Sequence, residues 1–296
     1  MIKKLGIASM MMALTFTPAM AEDMDETLKR FKETGKITIG HRESSIPFAY
    51  VDPKSGPIGF SLDLCHEIVD RIGEKLGVSE PEIDHVPVTS QNRIILVQNG
   101  TVDLECGSTS NTLERQKQVA FSYSFFITAV RMMVREGSPV DEFADMSNRT
   151  FVISSGSSSD SLVKNLASAA GFIPNISYAK ENAASFLYVQ SERADAFVSD
   201  DILLAGLIAN APNPESFAIV GETLRDDPYG FMMRREDTAF KALVDTNLAE
   251  IMSDGTYETL YTKWFQSPIP PRDINFGYEM SAAVKAAIAN PTDEGK

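Results

Sequence analysis

Hydrophobic and polar positions change period repeatedly along this chain. "KITIG" (36–40) alternates as a strand does, and "GFSLDLCHEIVDRIGEKLG" (59–77) repeats Leu64, Ile68, Ile72 and Leu76 every four residues, one face of a helix. "EIDHVPV" predicts a strand, "SQNRIILVQNG" a helix closed by Asn99-Gly100, and "TVDLECG" a strand with Val102, Leu104 and Cys106 on one side. "DETLKRFKETGK" and "NTLERQKQV" predict short helices. "FFITAVRMMVR" (125–135) is long, apolar and almost free of turn residues.

The alternation then restarts. "RTFVIS", "NISYAK", "DAFVS" and "FAIVG" predict strands, with helices in "GSSSDSLVKNLASAAG", "NAASFLYVQSERA" and "DDILLAGLIANA". "YGFMMRR" predicts another strand, before the helical "AFKALVDTNLAEIMSDG" and "TYETLYTKWF". Pro268, Pro270 and Pro271 end the last of these, and a polar tail carries one Ala-rich helix. Strand-helix alternation predicts an α/β fold built on largely parallel sheets. Two such units lie in series, joined by extended segments near 127–132 and 222–230. The expected division is lobe 1 at 22–127 and 225–296, and lobe 2 at 128–224. Two crossings make a hinge and a cleft.

The first 21 residues change that picture. Lys3 and Lys4, an apolar run and Ala19-Met20-Ala21 make the layout of a secretory signal peptide, with cleavage expected after Ala21. The run is short for a bilayer span. The formal net charge is -14, and -14 less the two lysines is -16 for the mature chain. That disfavours general affinity for nucleic acid or anionic lipid. Export permits a disulfide between Cys65 and Cys106. Both stand at apolar positions, however, and two buried free thiols are the favoured reading.

In open α/β sheets, ligands bind beyond the carboxyl ends of the strands. Those ends carry Arg42, then Ser90 with Arg93, then Ser108 and Ser110 with Arg115. In the second unit they carry Ser157 and Ser158, Asn182, and Asp200 with Asp201. Helix capping accounts for part of the Ser, Thr and Asp content. It does not account for three arginines, which the helix dipole disfavours at a helix start. Arginine forks match carboxylates. Three of them suggest more than one carboxylate, and an aspartate suits an ammonium. Glutamate or aspartate as ligand satisfies that count.

At these residues the chain resembles the periplasmic solute-binding proteins of polar amino-acid ABC transporters (solute-binding protein family 3), nearest to the glutamate/aspartate-binding group. "GHRESSIPFAY", "TSQNRI", "ECGSTSNTLERQKQVAFS", "DDILLAG" and "KWFQSPIPP" carry the resemblance, which spans about residues 25 to 280. It implies the type II two-lobe fold closing on one amino acid, a periplasmic location, an inner-membrane ABC permease as partner, and a monomer. By motif position, Arg115 would hold the α-carboxylate with Ser110, Ser157 and Ser158. Asp200 would hold the ammonium beside Ser108. Arg42, Ser90 and Arg93 would hold the side-chain carboxylate. One position departs from the group: Asn182 stands where a histidine is expected, so an amide replaces a titratable ring.

Other readings stay open. The ligand can be another polar amino acid, glutamine or asparagine. A sensory role through a partner is compatible with a free binding protein. An exported dehydratase-like enzyme of the same fold needs a poised acid or base. The candidates are His41, Glu43 and Glu105, the last on a strand where its side chain can face away. No G-x-S-x-G elbow occurs, and His41, His66 and His85 lack metal-ligand spacing. The expectation is therefore no catalytic residue, no metal and no cofactor, with His66 and His85 as ordinary surface residues.

Overall fold

In the computed structural model, residues 24–296 are described; the leader and its cleavage site at Ala21 lie outside the described residues. The first five-stranded sheet runs Glu82–Pro87, Lys36–His41, Leu104–Glu105, Met232–Met233, Ala120–Phe121. The second runs Asn175–Ala179, Thr150–Ser154, Ala196–Asp200, Phe126–Arg135, Phe217–Tyr229. In each, the pairings are parallel up to the third strand, and the fourth strand is antiparallel to both its neighbours. One reversed strand in an otherwise parallel sheet is the mixed α/β pattern that the alternation predicts.

The helical stripe of Phe60–Leu76 packs as its spacing requires. Leu64, Ile68 and Ile72 are fully buried in the core of the first unit, against Phe240, Leu248 and Tyr257 of the later helices Thr238–Ser253 and Thr256–Phe265. Each such side chain contributes about 1.5–3 kcal/mol. In the second unit, Val130, Met132 and Phe151 form one core, and Met133, Val152 and Phe197 another. Alternate residues of the same strands thus feed both faces of the sheet.

Three features differ from the sequence expectations. The strand predicted at 217–221 runs on to Tyr229 through the segment expected only to join the units, antiparallel to 126–135, with a register shift between Val220 and Arg225, and the next predicted strand is reduced to Met232–Met233. Pairing resumes at Arg225–Tyr229 and carries the strand past the unpaired, mostly polar 221–224. Second, Cys65 and Cys106 are disulfide-bonded, so the free-thiol reading is wrong. Helix Phe60–Leu76 lies over the strand ending near Cys106 and brings the two Cα atoms to 6.3 Å, within bonding range. Third, His66 and His85 are not surface residues. Both are partly buried, with rings edge-on at 5.4 Å and His41 5.9 Å from His85. Burial pushes both imidazoles down.

Candidate functional site

The two units face each other through the carboxyl ends of their parallel strands. A small cavity lies there. Its lining includes Arg42, Ser90, Arg93, Ser108, Ser110 and Arg115 from the first unit, and Ser157, Ser158, Asn182 and Asp200 from the second. Ten of the eleven residues singled out from the strand ends therefore come together, joined by Ser159, Ser199 and Leu203; Asp201 does not line the cavity and accepts instead from Thr128 Oγ1 at 2.8 Å.

Local structure aims each group. Arg42 follows strand Lys36–His41 and is 2% exposed. Arg115 sits on the short helix Leu113–Gln116, whose N-cap Thr112 accepts its backbone N–H. Its guanidinium donates to the Ser110 carbonyl at 2.9 Å and across the cleft to the Gly156 carbonyl at 3.1 Å. Arg93 donates to Thr109 Oγ1 at 2.5 Å, and Thr109 in turn donates to the buried Glu105 at 2.6 Å. Glu105 thus turns toward Arg93, 3.8 Å away, rather than away from the site, although it does not line the cavity. Ser158 accepts from Arg225 and donates to Asp227 at 3.2 Å.

Asn182 is largely spoken for. Its Oδ1 accepts from Ser154 Oγ at 2.8 Å, and its Nδ2 donates to Ser45 Oγ of the opposite unit at 3.3 Å. Its amide therefore ties the two units together as well as lining the cavity.

The electrostatics are those of an enclosed polar chamber. Burial and the neighbouring Arg115 charge push Arg93 down to about 9, still cationic at neutral pH. Burial also lowers Arg115. Burial, then the Asp227 charge, pushes Asp200 up to about 7, even though Tyr229 donates to it at 2.6 Å. Among the described residues, Arg42 Nε, Arg93 Nε, Ser108 Oγ and Ser157 Oγ are buried polar atoms without a hydrogen-bond partner. An unpaired buried donor costs about 1–3 kcal/mol. Four converging on one cavity suit a polar, anionic occupant.

Glu181 is not among the strand-end residues singled out above. Its carboxylate meets Arg42 Nη2 at 2.5 Å across the cleft. Its signal in the sequence is an acidic residue directly after "ISYAK", one position before Asn182. Thr109 stands at a strand end between Ser108 and Ser110 without a role assigned from sequence, and Tyr229 carries no strand-end signal; they act by holding Arg93 and Asp200.

Residues 37–267 match the family described as bacterial extracellular solute-binding proteins, family 3. The chain is 38% identical to the glutamate/aspartate import solute-binding protein of Escherichia coli (strain K12), over 99% of this chain and 98% of that one. It is 41% identical to the L-glutamate/L-aspartate-binding protein of Pseudomonas aeruginosa (strain PAO1), over 95% and 94%. Among solved structures it is similar to an ancestral amino acid-binding protein described as a precursor of cyclohexadienyl dehydratase, with a TM-score of 0.69 and 26% identity. That match covers 81% of this chain and 100% of the other.

Proposed function

This chain belongs to the bacterial extracellular solute-binding proteins, family 3, and on that premise we propose that it captures L-glutamate or L-aspartate between two closing lobes and delivers it to an ABC permease of the inner membrane. The lobes are 22–127 with 225–296, and 128–224, and the mature chain acts as a periplasmic monomer.

One observation carries the reading: three arginines, a ring of serines and one aspartate around a single small cavity, with donors left unpaired. Arg115, Ser110, Ser157 and Ser158 take the α-carboxylate. Asp200 and Ser108 take the ammonium, whose positive charge offsets the burial that pushes Asp200 up. Arg42, Ser90 and Arg93 take the side-chain carboxylate, with Asn182 at its edge. The two relatives named for glutamate and aspartate support the same ligand class.

Calorimetric titration of residues 22–296, stripped of ligand, with Glu, Asp, Gln, Asn and succinate tests this. Binding of neither acidic amino acid below about 100 μM sinks it. Arg115→Ala abolishes binding of every amino acid, while Arg42→Ala or Arg93→Ala weakens Glu more than Gln.

A second reading has one observation behind it. Asp200, raised to about 7 in an enclosed site, has the character of a general acid, and a fold relative is described as a dehydratase precursor. We favour binding without turnover, because the groups around Asp200 suit an ammonium. Release of a dehydrated product from a small carboxylic acid, lost in Asp200→Asn, would reverse that preference.

A further inference from the structure

Glu181 has no part in the roles above, and it lies where charge matters most. It is the N-cap residue of helix Asn182–Gln190, yet its side chain makes no capping hydrogen bond. Instead it reaches across the cleft to Arg42, 139 residues away in sequence. The Arg42 side chain is 2% exposed and that of Glu181 11%. Glu181 Oε1 and Arg42 Nε are both buried without a partner. The same helix start also meets the first unit through Asn182 to Ser45 Oγ at 3.3 Å and the Ala183 N–H to Ser44 Oγ at 3.4 Å.

The charges on this side of the cavity can be counted. Arg42 is faced by Glu181 and Arg93 by Glu105, so two guanidinium charges are matched by two carboxylates. A guanidinium has five donors, so Arg42 can stay on Glu181 through Nη2 and still offer Nε to a ligand. A buried ion pair 2.5 Å long across a closing interface also favours the closed form once its hydrogen bonds are made.

We propose that Glu181 is the cleft's own anion: it bridges to Arg42 to favour closure without ligand, and it moderates the preference for a charged over a neutral side chain in the bound amino acid. The second half rests on the amino-acid reading above; the first does not. Without Glu181, Arg42 is left in a closed cleft with a charge that only the ligand can match. Charged ligands then gain over neutral ones.

The test pairs a ligand-free and a ligand-bound measurement on Glu181→Gln. Spin labels at Ser55→Cys and Asn175→Cys, both exposed and one in each unit, report the distance between units by pulsed dipolar spectroscopy. Without ligand, the wild type should contain a closed-distance population that falls at least threefold in E181Q. Calorimetry should show the ratio Kd(Gln)/Kd(Glu) rising about tenfold in E181Q, with Glu181→Asp returning toward the wild-type ratio. An unchanged ligand-free distance distribution overturns the closure role. A ratio that stays level or falls overturns the selectivity role. If the wild type binds no amino acid, the proposed function fails, and the distance measurement still decides what Glu181 does. Should E181Q fold poorly, Glu181→Ser supplies a neutral replacement with good N-cap chemistry.

Discussion

At the scale of single residues, Asp200 accepts the Tyr229 hydroxyl at 2.6 Å and lies close enough to Asp227 for their charges to repel. Burial first, and that repulsion second, lift its carboxyl from 3.8 to about 7. The ligand-free fold therefore keeps a proton on Asp200 that the unfolded chain has already lost. This ionisation costs nothing below about pH 4 and its full penalty above about pH 7. An ammonium ligand needs the carboxylate, so binding must expel that proton. We expect amino-acid affinity to fall about tenfold or more between about pH 7.5 and 5.5, with proton release measured by calorimetry in buffers of different ionisation enthalpy. Asp200→Asn should bind weakly and without that pH dependence. An equally steep profile in the variant would assign it elsewhere. Asp200 was legible in the sequence because it ends a strand; its raised proton affinity was not, because Asp227 and Tyr229 approach it only in the fold.

Among the structural elements, the segment 291–296 reads in sequence as a polar tail, yet it is bound along its length. The Thr292 carbonyl accepts from Ser124 N–H at 2.8 Å, and the Asp293 carbonyl accepts from Asn111 and Gln116 side chains at 2.9 and 2.7 Å. Lys296 pairs with Asn111 and Leu113 through backbone hydrogen bonds at 3.1 and 3.0 Å. Asn111 and Leu113 separate Ser110 from Arg115, so the tail holds the loop that presents them. Apart from the Lys241–Asp293 ion pair at 2.9 Å, its hydrogen bonds to the rest of the fold are to backbone and amide groups, which leave no periodicity to read. Removing 291–296 should speed hydrogen exchange at Leu113 and Ser124 and raise Kd about threefold to tenfold, mostly through faster dissociation. Unchanged exchange at both amides would show that the loop holds itself. Strands and amphipathic helices, by contrast, were legible because their burial pattern repeats every two or every 3.6 residues.

Across the whole molecule, closure depends on two glycines of the second unit. Gly156, at φ +78°, approaches the Ser90–Gln91 backbone so closely that a Cβ would lie 2.7 Å from Gln91 Cα. Gly206, inside helix Asp201–Ala209, would place one 2.5 Å from the Ile46 carbonyl oxygen of the first unit. Gly206→Ala separates closure from stability. Alanine favours a helix interior over glycine by about 1 kcal/mol, so the ligand-free melting temperature should hold or rise. The units could no longer meet, and amino-acid affinity should drop at least tenfold. A variant that binds as tightly as the wild type would show that closure tolerates the shift.

Short-range physics made three things readable along the chain: two α/β units in series, the strand ends that carry polar groups, and three arginines too many for a capping role. Each follows from spacing within one element or from the residue that ends it. Which groups meet is a property of the folded chain. Folding joined Cys65 to Cys106, ran 217–229 as one strand along 126–135, and set Glu181 on Arg42. Those outcomes depend on how far one packed unit sits from another. That distance is settled by cores built from residues scattered across the chain, and no local pattern encodes it.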